Sequence, residues 1–160
     1  MRRDESYMKE DPMLAGCTSL LLLLLLAGAV YKYDLSVPVS DMYSLVEEMR
    51  KRLRDVPDVV VAGYGHIGDG NLHLNISRPG NYSIELENLI EPFVYEWTAA
   101  RGGSISAEHG LGLMKAQCIG YSKSAEAIDL MRKLKQLMDP HGILNPYKVL
   151  PKRPHSETDE

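Results

Sequence analysis

One stretch, Gly63-Tyr64-Gly65-His66-Ile67-Gly68-Asp69-Gly70-Asn71-Leu72-His73-Leu74-Asn75, constrains the fold of this chain more than any other. Asp-Gly favours a two-residue hairpin turn, because the turn that matches the twist of paired strands needs positive φ at both central positions. With Asp69-Gly70 as the loop, Gly68 pairs with Asn71, Ile67 with Leu72, and His66 with His73. Tyr64 then faces Asn75. Side chains alternate along a strand, so Tyr64, His66, His73 and Asn75 share one face, and Ile67, Leu72, Leu74 and Ile76 share the other. The first face is polar and carries two imidazoles. The second is apolar and must be covered.

Directly opposed residues hold their Cβ atoms about 4.5–5.5 Å apart. Two imidazoles at that spacing reach one divalent cation, since metal–nitrogen bonds are about 2.0–2.1 Å. The same rings also stack or bond to water, so the pair alone does not define a metal site. Glu108-His109 offers further donors, with Ser104-Ile105-Ser106-Ala107 before it and Gly110-Leu111-Gly112 after it. As the end of an extended segment, Glu108 completes a His-His-Glu set of the kind that leaves one position open for substrate. His109 then points elsewhere and is free to act as a general base near neutral pH. As the start of a helix, Glu108 is an acidic first-turn residue favoured by the dipole. The residues leave both readings open.

Around the hairpin the pattern is α+β, an antiparallel sheet with helices on one side. Residues 31–39 read as a strand that Pro38 places near an edge. Ser40 or Asp41 can cap a helix with the stripe Met42, Leu45, Val46, Met49 and Leu53. Strands follow at 59–67 and 72–77. One helix then carries Leu86, Leu89, Ile90, Phe93, Val94 and Trp97 and stops at Gly102-Gly103. Residues 104–107 read as a short strand, and 108–119 as a loop leading into a helix. A last helix at 124–138 turns Ile128, Met131, Leu134 and Met138 inward and ends at Asp139, Pro140 and Gly142.

The ends of the chain differ in composition from this domain. Residues 14–30 are almost wholly apolar, with leucine unbroken from Leu20 to Leu26. That is short of the about 20 residues of a membrane helix, and Thr18 and Ser19 interrupt it. Asp4, Glu5, Glu10 and Asp11 do not suit a secretory signal or a mitochondrial presequence. Composition changes abruptly at Tyr31. Residues 1–30 are therefore expected to stand apart from a domain at 31–151, without a role in catalysis, and 152–160 to form a polar disordered tail. No other segment suggests a membrane.

Several function classes fall away. The formal net charge is −4 and no basic stripe runs through the chain, which argues against nucleic acid. Cys17 and Cys118 make no CxxC pair, so a reducing compartment is the default. Cys118 near Lys115 is either a thiol of lowered pKa or, more simply, a half-buried structural one. Gly63, Gly65, Gly68 and Gly70 do not have dinucleotide-fingerprint spacing, and no phosphate-binding loop or nucleophile elbow is present.

The segments GYGHIGDGNLHLN, SISAEHGLG and DPHGILNPYK, in that order, resemble the C-terminal region of the FAD-linked oxidase family of the vanillyl-alcohol-oxidase type. YKYDLSVP followed by a helix resembles the start of a stretch in that family's cap domain. Together with NPYK it looks most like the branch that acts on D-2-hydroxyglutarate, with D-lactate and glycolate branches as near relatives. The resemblance runs from about Tyr31 to Pro151. It implies FAD-dependent oxidation of a D-2-hydroxy acid, D-2-hydroxyglutarate to 2-oxoglutarate first, in the mitochondrial matrix. Electrons would leave to an acceptor such as an electron-transfer flavoprotein. It further implies a divalent metal, usually Zn2+, on His66, His73 and Glu108. It implies substrate contacts from Asn75 and His109, proton abstraction by His109, and Asn145 near the flavin. Counterparts of the family's flavin-binding domain and of the cap-domain cations that grip carboxylates are not found in the chain. It is therefore expected to resemble a truncated gene product, inactive alone, with a non-catalytic metal-binding fragment as the rival reading.

Overall fold

A computed structural model describes residues 28–151. The expectations for the leucine run, for Cys17 and for the tail from residue 152 fall outside the described residues. Three antiparallel strands form one sheet, β1 (Ala29–Ser36), β2 (Val60–His66) and β3 (Asn71–Arg78), in the order β1-β3-β2. β3 takes the centre, and the edge position of β1 agrees with Pro38 just beyond it. β1 begins before Tyr31, since Ala29 and Val30 pair with Arg78 and Ser77. Two residues of the apolar segment thus belong to the sheet.

The sheet's apolar face carries Tyr31, Tyr33 and Leu35 from β1 and Leu72, Leu74 and Ile76 from β3, all buried. Helices cover it. A 3-10 turn at Val39–Asp41 leads into α1 (Met42–Arg52), and neither Ser40 nor Asp41 caps α1 with its side chain. Leu45, Val46 and Met49 of α1, and Leu53 after it, are buried as their spacing predicts. Gly63 makes the helix-to-strand contact close, because a Cβ there would lie 2.4 Å from Val46 Cγ2.

The helix expected across Leu86 to Trp97 is two helices, α2 (Ile84–Ile90) and α3 (Phe93–Ala99). Pro92 explains the break. It lacks an amide hydrogen and pushes the residue before it out of the helical region, and Glu91 has ψ 143°. Leu86, Ile90, Val94 and Trp97 are buried nonetheless, whereas Leu89 is exposed. Tyr95 of α3 meets Tyr33 edge-on, with ring centroids 5.9 Å apart. Ser83 caps α2 by accepting from the Leu86 amide at 3.2 Å.

The remainder runs along the β1 edge. The strand expected at 104–107 is a single bridge between Ser36 and Ser104, followed by bends. A 3-10 segment, Ala116–Tyr121, precedes α4 (Ala125–Met138), which Ser124 caps. The stripe on α4 is not inward as its period suggests. Ile128 and Met131 are half-buried, while Leu134 and Met138 are exposed. Among the described residues α4 has too little surface against it to cover that face. It ends where Asp139 accepts from the amides of Ile143 (3.1 Å) and Leu144 (2.9 Å) and from Lys135. No helix among the described residues is long and apolar enough to cross a membrane.

Candidate active site

The hairpin turn has four residues, 67–70, not two. His66 pairs with Asn71, Tyr64 with His73, and Ala62 with Asn75. His66 is therefore not opposite His73, and Tyr64 is not opposite Asn75. Asp69 makes a local bond within this wider turn, and Gly70 is held from outside it. Asp69 Oδ1 accepts from the Asn71 amide at 3.1 Å, a local Asx bond. Gly70 has φ +71°, and its carbonyl accepts from the Val37 amide at 3.0 Å. A Cβ on Gly70 would lie 2.3 Å from Val37 O, so β1's exit and the turn touch backbone to backbone. The register shift is two residues, which preserves alternation. Tyr64, His66, His73 and Asn75 still share one face.

That face is polar across all three strands. Asp34, His73 and Tyr64 form one row, and Lys32, Asn75 and Ala62 the next. Asn75 Nδ2 donates to the Tyr64 hydroxyl at 3.2 Å. His66 is exposed, and its ring centroid lies 5.6 Å from that of His73.

Residues 104–109 reach this face over the β1 edge. Ser36 and Ser104 exchange amide bonds at 2.9 and 2.8 Å, and the Ala107 amide donates to the Asp34 carbonyl at 3.2 Å. The chain then curls. The amides of Glu108 (2.9 Å) and His109 (2.7 Å) both donate to Asp34 Oδ2. The extended backbone that would send Glu108 and His109 apart is not formed, and His109 does not point elsewhere. His73 Nε2 lies 3.2 Å from Glu108 Oε1, and His109 Nε2 lies 3.7 Å from the same oxygen. The His73 and His109 rings stack, with centroids 5.3 Å apart and planes at 25°. Asp34, His73, Glu108 and His109 each place one donor atom within 4.8 Å of the others.

Asp34 is the residue that sequence reasoning missed. Its signal was alternation: Lys32 and Asp34 are polar between Tyr31, Tyr33 and Leu35. Burial works to raise the Asp34 pKa, but the amides of His109 and Glu108 and the Asn71 side chain outweigh it and hold the carboxyl below the usual range. Asn145 stands apart from the four-residue group, in the segment after α4, with φ +47° and its Oδ1 accepting from Lys148 at 3.1 Å. That segment returns to the His109 loop, where the Val149 amide donates to Gly112 O at 2.7 Å. Cys118 is the structural thiol of the simpler reading. Burial chiefly pushes its pKa up, Glu91 adds to this, and Lys115 offsets only part.

The donor set suits a divalent cation of borderline softness, which takes imidazole nitrogen and carboxylate oxygen together. The Asn71 side-chain oxygen, on the residue opposite His66 in the register, is buried without a hydrogen-bond partner among the described residues. An unpaired buried acceptor marks a place for water or an ion.

Residues 18–149 match FAD linked oxidases, C-terminal domain, and the chain belongs to that family. Among its relatives is the probable mitochondrial D-2-hydroxyglutarate dehydrogenase of Oryza sativa subsp. japonica, 64% identical over 124 residues. The D-2-hydroxyglutarate dehydrogenase of Arabidopsis thaliana is 63% identical over 125 residues, and that of Bos taurus 58% over 124; both are named mitochondrial. In each comparison the match covers 78% of this chain and 22% of the relative. The chain thus spans less than a quarter of the length of these relatives.

Proposed function

We propose that this chain forms the metal- and substrate-holding part of an FAD-dependent dehydrogenase of D-2-hydroxy acids, acting on D-2-hydroxyglutarate. The observation that carries this reading is the gathering of His73, Glu108 and His109 on the polar sheet face, in a chain whose relatives bear that enzyme's name. Their names also support a mitochondrial location, with electrons passing from FAD to a further acceptor.

His66, His73 and Glu108 would hold zinc. His73 and Glu108 already meet, and His66 lies beside His73 on the exposed strand end. When bound, the metal would supply Lewis acidity toward the substrate hydroxyl, and FAD would supply the hydride acceptor. The remaining work belongs to the chain's own side chains. His109 has one ring face against His73 and its side chain 64% exposed, which supports the reading that it would take a hydroxyl proton. Asn75, buried in the sheet floor with its Nδ2 donating to the Tyr64 hydroxyl, would orient the substrate in this reading. Lys32, paired with Asn75 across the strands, brings a cation to the same row for a carboxylate. Asn145, in the segment tied to the His109 loop, faces the flavin in this reading.

The test is zinc affinity of the chain, by competition with a chromogenic chelator. His73→Ala and Glu108→Ala should weaken binding by more than the about 10–100-fold typical of residues behind the ligands. His66→Ala should behave like them, and His109→Ala should keep zinc. Loss of zinc in His109→Ala with retention in His66→Ala would exchange those two roles. Equal affinity in His73→Ala and wild type would remove the metal from the reading.

A further inference from the structure

α4 and the segment that follows it enclose a groove of about 250 Å³. Arg132 and Lys135 line it from the helix, and Pro146, Tyr147, Lys148 and Leu150 from the segment. The groove shares no residue with the donor cluster of Asp34, His73, Glu108 and His109.

Three cations thus border one small space, and like charges repel unless something of opposite sign joins them. Lys135 is matched, since it donates to Asp139 Oδ2 and to the Leu144 carbonyl. Lys148 donates to Asn145 Oδ1 at 3.1 Å, an oxygen that carries no charge. Asp129, on the turn before Arg132, pairs with Lys133 at 2.7 Å. Among the described residues only Lys135 of the three lining cations forms an ion pair with a carboxylate. Arg132 Nε is buried and has no hydrogen-bond partner among the described residues. A buried N–H without an acceptor is costly, and native proteins fill such a place with water or an ion. The segment across the groove is also held against its own preference. Tyr147 and Val149 have φ of +63° and +68°, a region that bulky residues rarely enter. Residues kept there cluster at ligand sites.

We propose that this groove binds a phosphate group, with Arg132 as its main donor and Lys148 as a second charge. A guanidinium offers a planar fork of donors and an ammonium a point charge, and phosphate oxygens accept from both. A dianion balances the two cations that no carboxylate meets. One phosphate does not fill the groove, and Pro146, Tyr147 and Leu150 leave apolar room for an organic group that carries it. The proposal is independent of the metal reading.

The test is titration of the full chain with inorganic phosphate at constant ionic strength, followed through the Arg132 Nε–H resonance in nitrogen–proton NMR. One saturable site is expected, with a dissociation constant on the order of 1 mM or tighter. The Arg132 resonance should move along the same curve. Arg132→Gln should weaken binding about 10–100-fold, the scale of a lost hydrogen bond to a charged group. Lys148→Gln, in the exposed segment, should weaken it less. Lys133→Gln, next to Arg132 but outside the groove, should leave it unchanged. Phenyl phosphate separates the sources of the group. Tighter binding than inorganic phosphate supports an organic ligand on the apolar lining, and equal binding supports free phosphate. A response that does not saturate, or that Lys133→Gln weakens as much as Arg132→Gln does, is general charge attraction and overturns the proposal. An Arg132 Nε–H that stays in place while phosphate saturates the chain also overturns it. If Arg132→Gln fails to fold, the wild-type resonance and Lys148→Gln still decide the outcome.

Discussion

The two faces of the sheet are built from alternate residues of the same strands and are buried for different reasons. On one face Tyr33, Leu35, Leu72, Leu74 and Ile76 are covered by helices and give the domain its core. On the other, Asp34, Asn71, His73 and Asn75 are buried almost as deeply, yet each is polar. Burial of apolar area stabilises, at roughly 25 cal/mol per Å². Burial of polar groups is at best neutral once they are hydrogen-bonded. The polar face therefore adds little to stability, and in the proposed reading its polar residues are there for the metal and substrate they would hold. Adjacent residues of β3 should answer substitution in different currencies, one in stability and the next in chemistry.

The largest effect is expected on the chemical side. In a full-length D-2-hydroxyglutarate dehydrogenase such as the Arabidopsis thaliana relative, replacing the histidine that aligns with His109 should leave metal content intact. It should lower turnover about 10²–10⁴-fold, the usual scale for a lost acid–base group. Turnover with D-2-hydroxyglutarate and zinc content are the two measurements. Joint loss of both would make His109 a ligand, which its 3.7 Å approach to Glu108 Oε1 also permits.

On the apolar face the expected cost is structural. Leu74 is fully buried in the central strand, so Leu74→Ala should destabilise the chain by about 2–5 kcal/mol. Its neighbour on the other face should behave otherwise. His73→Ala should shift metal-free stability by no more than about 1 kcal/mol, because it removes a buried polar ring rather than core volume. Urea denaturation of both variants checks the contrast. Equal losses would mean that the polar face is part of the core in energy as well as in place.

Much of this contrast was legible in the sequence because alternation has period two. The hairpin register is two residues away from the Asp-Gly expectation, and an even shift keeps Tyr64, His66, His73 and Asn75 on one face. What failed was the identity of opposed pairs. That depends on the Gly70–Val37 contact, which joins segments separated along the chain. Pro92 stood in view, and its local rule outweighs the apolar period that ran across it. The stripe on α4 was readable as amphipathic, but a period cannot say what lies against it. The curl of residues 108–109 was out of reach for a similar reason. It is imposed by a carboxylate more than seventy positions earlier, and no spacing rule links the two.

The smallest effect separates the faces by pH. Tyr33, on the apolar face, is 4% exposed, and burial chiefly raises its pKa, with the Glu91 carboxylate adding to the shift by charge and hydrogen bond. Tyr95 beside it is raised by the same two causes. Both folded values lie above the unfolded value of about 10. The neutral phenols therefore contribute a stability that is fully present below about pH 10. It is lost as pH rises further, because the unfolded chain ionises while the folded one resists. Half a unit above that point each phenol should cost about 1 kcal/mol at most. Urea midpoints should thus fall between pH 9 and 10.5, and Tyr33→Phe should flatten part of that fall. Tyr64→Phe, on the polar face and 39% exposed, is the control. If Tyr64→Phe flattened the alkaline fall as much as Tyr33→Phe, the two faces would not differ in how tightly they exclude water. The division between a face that holds the fold and a face that holds the site would then lose its energetic basis.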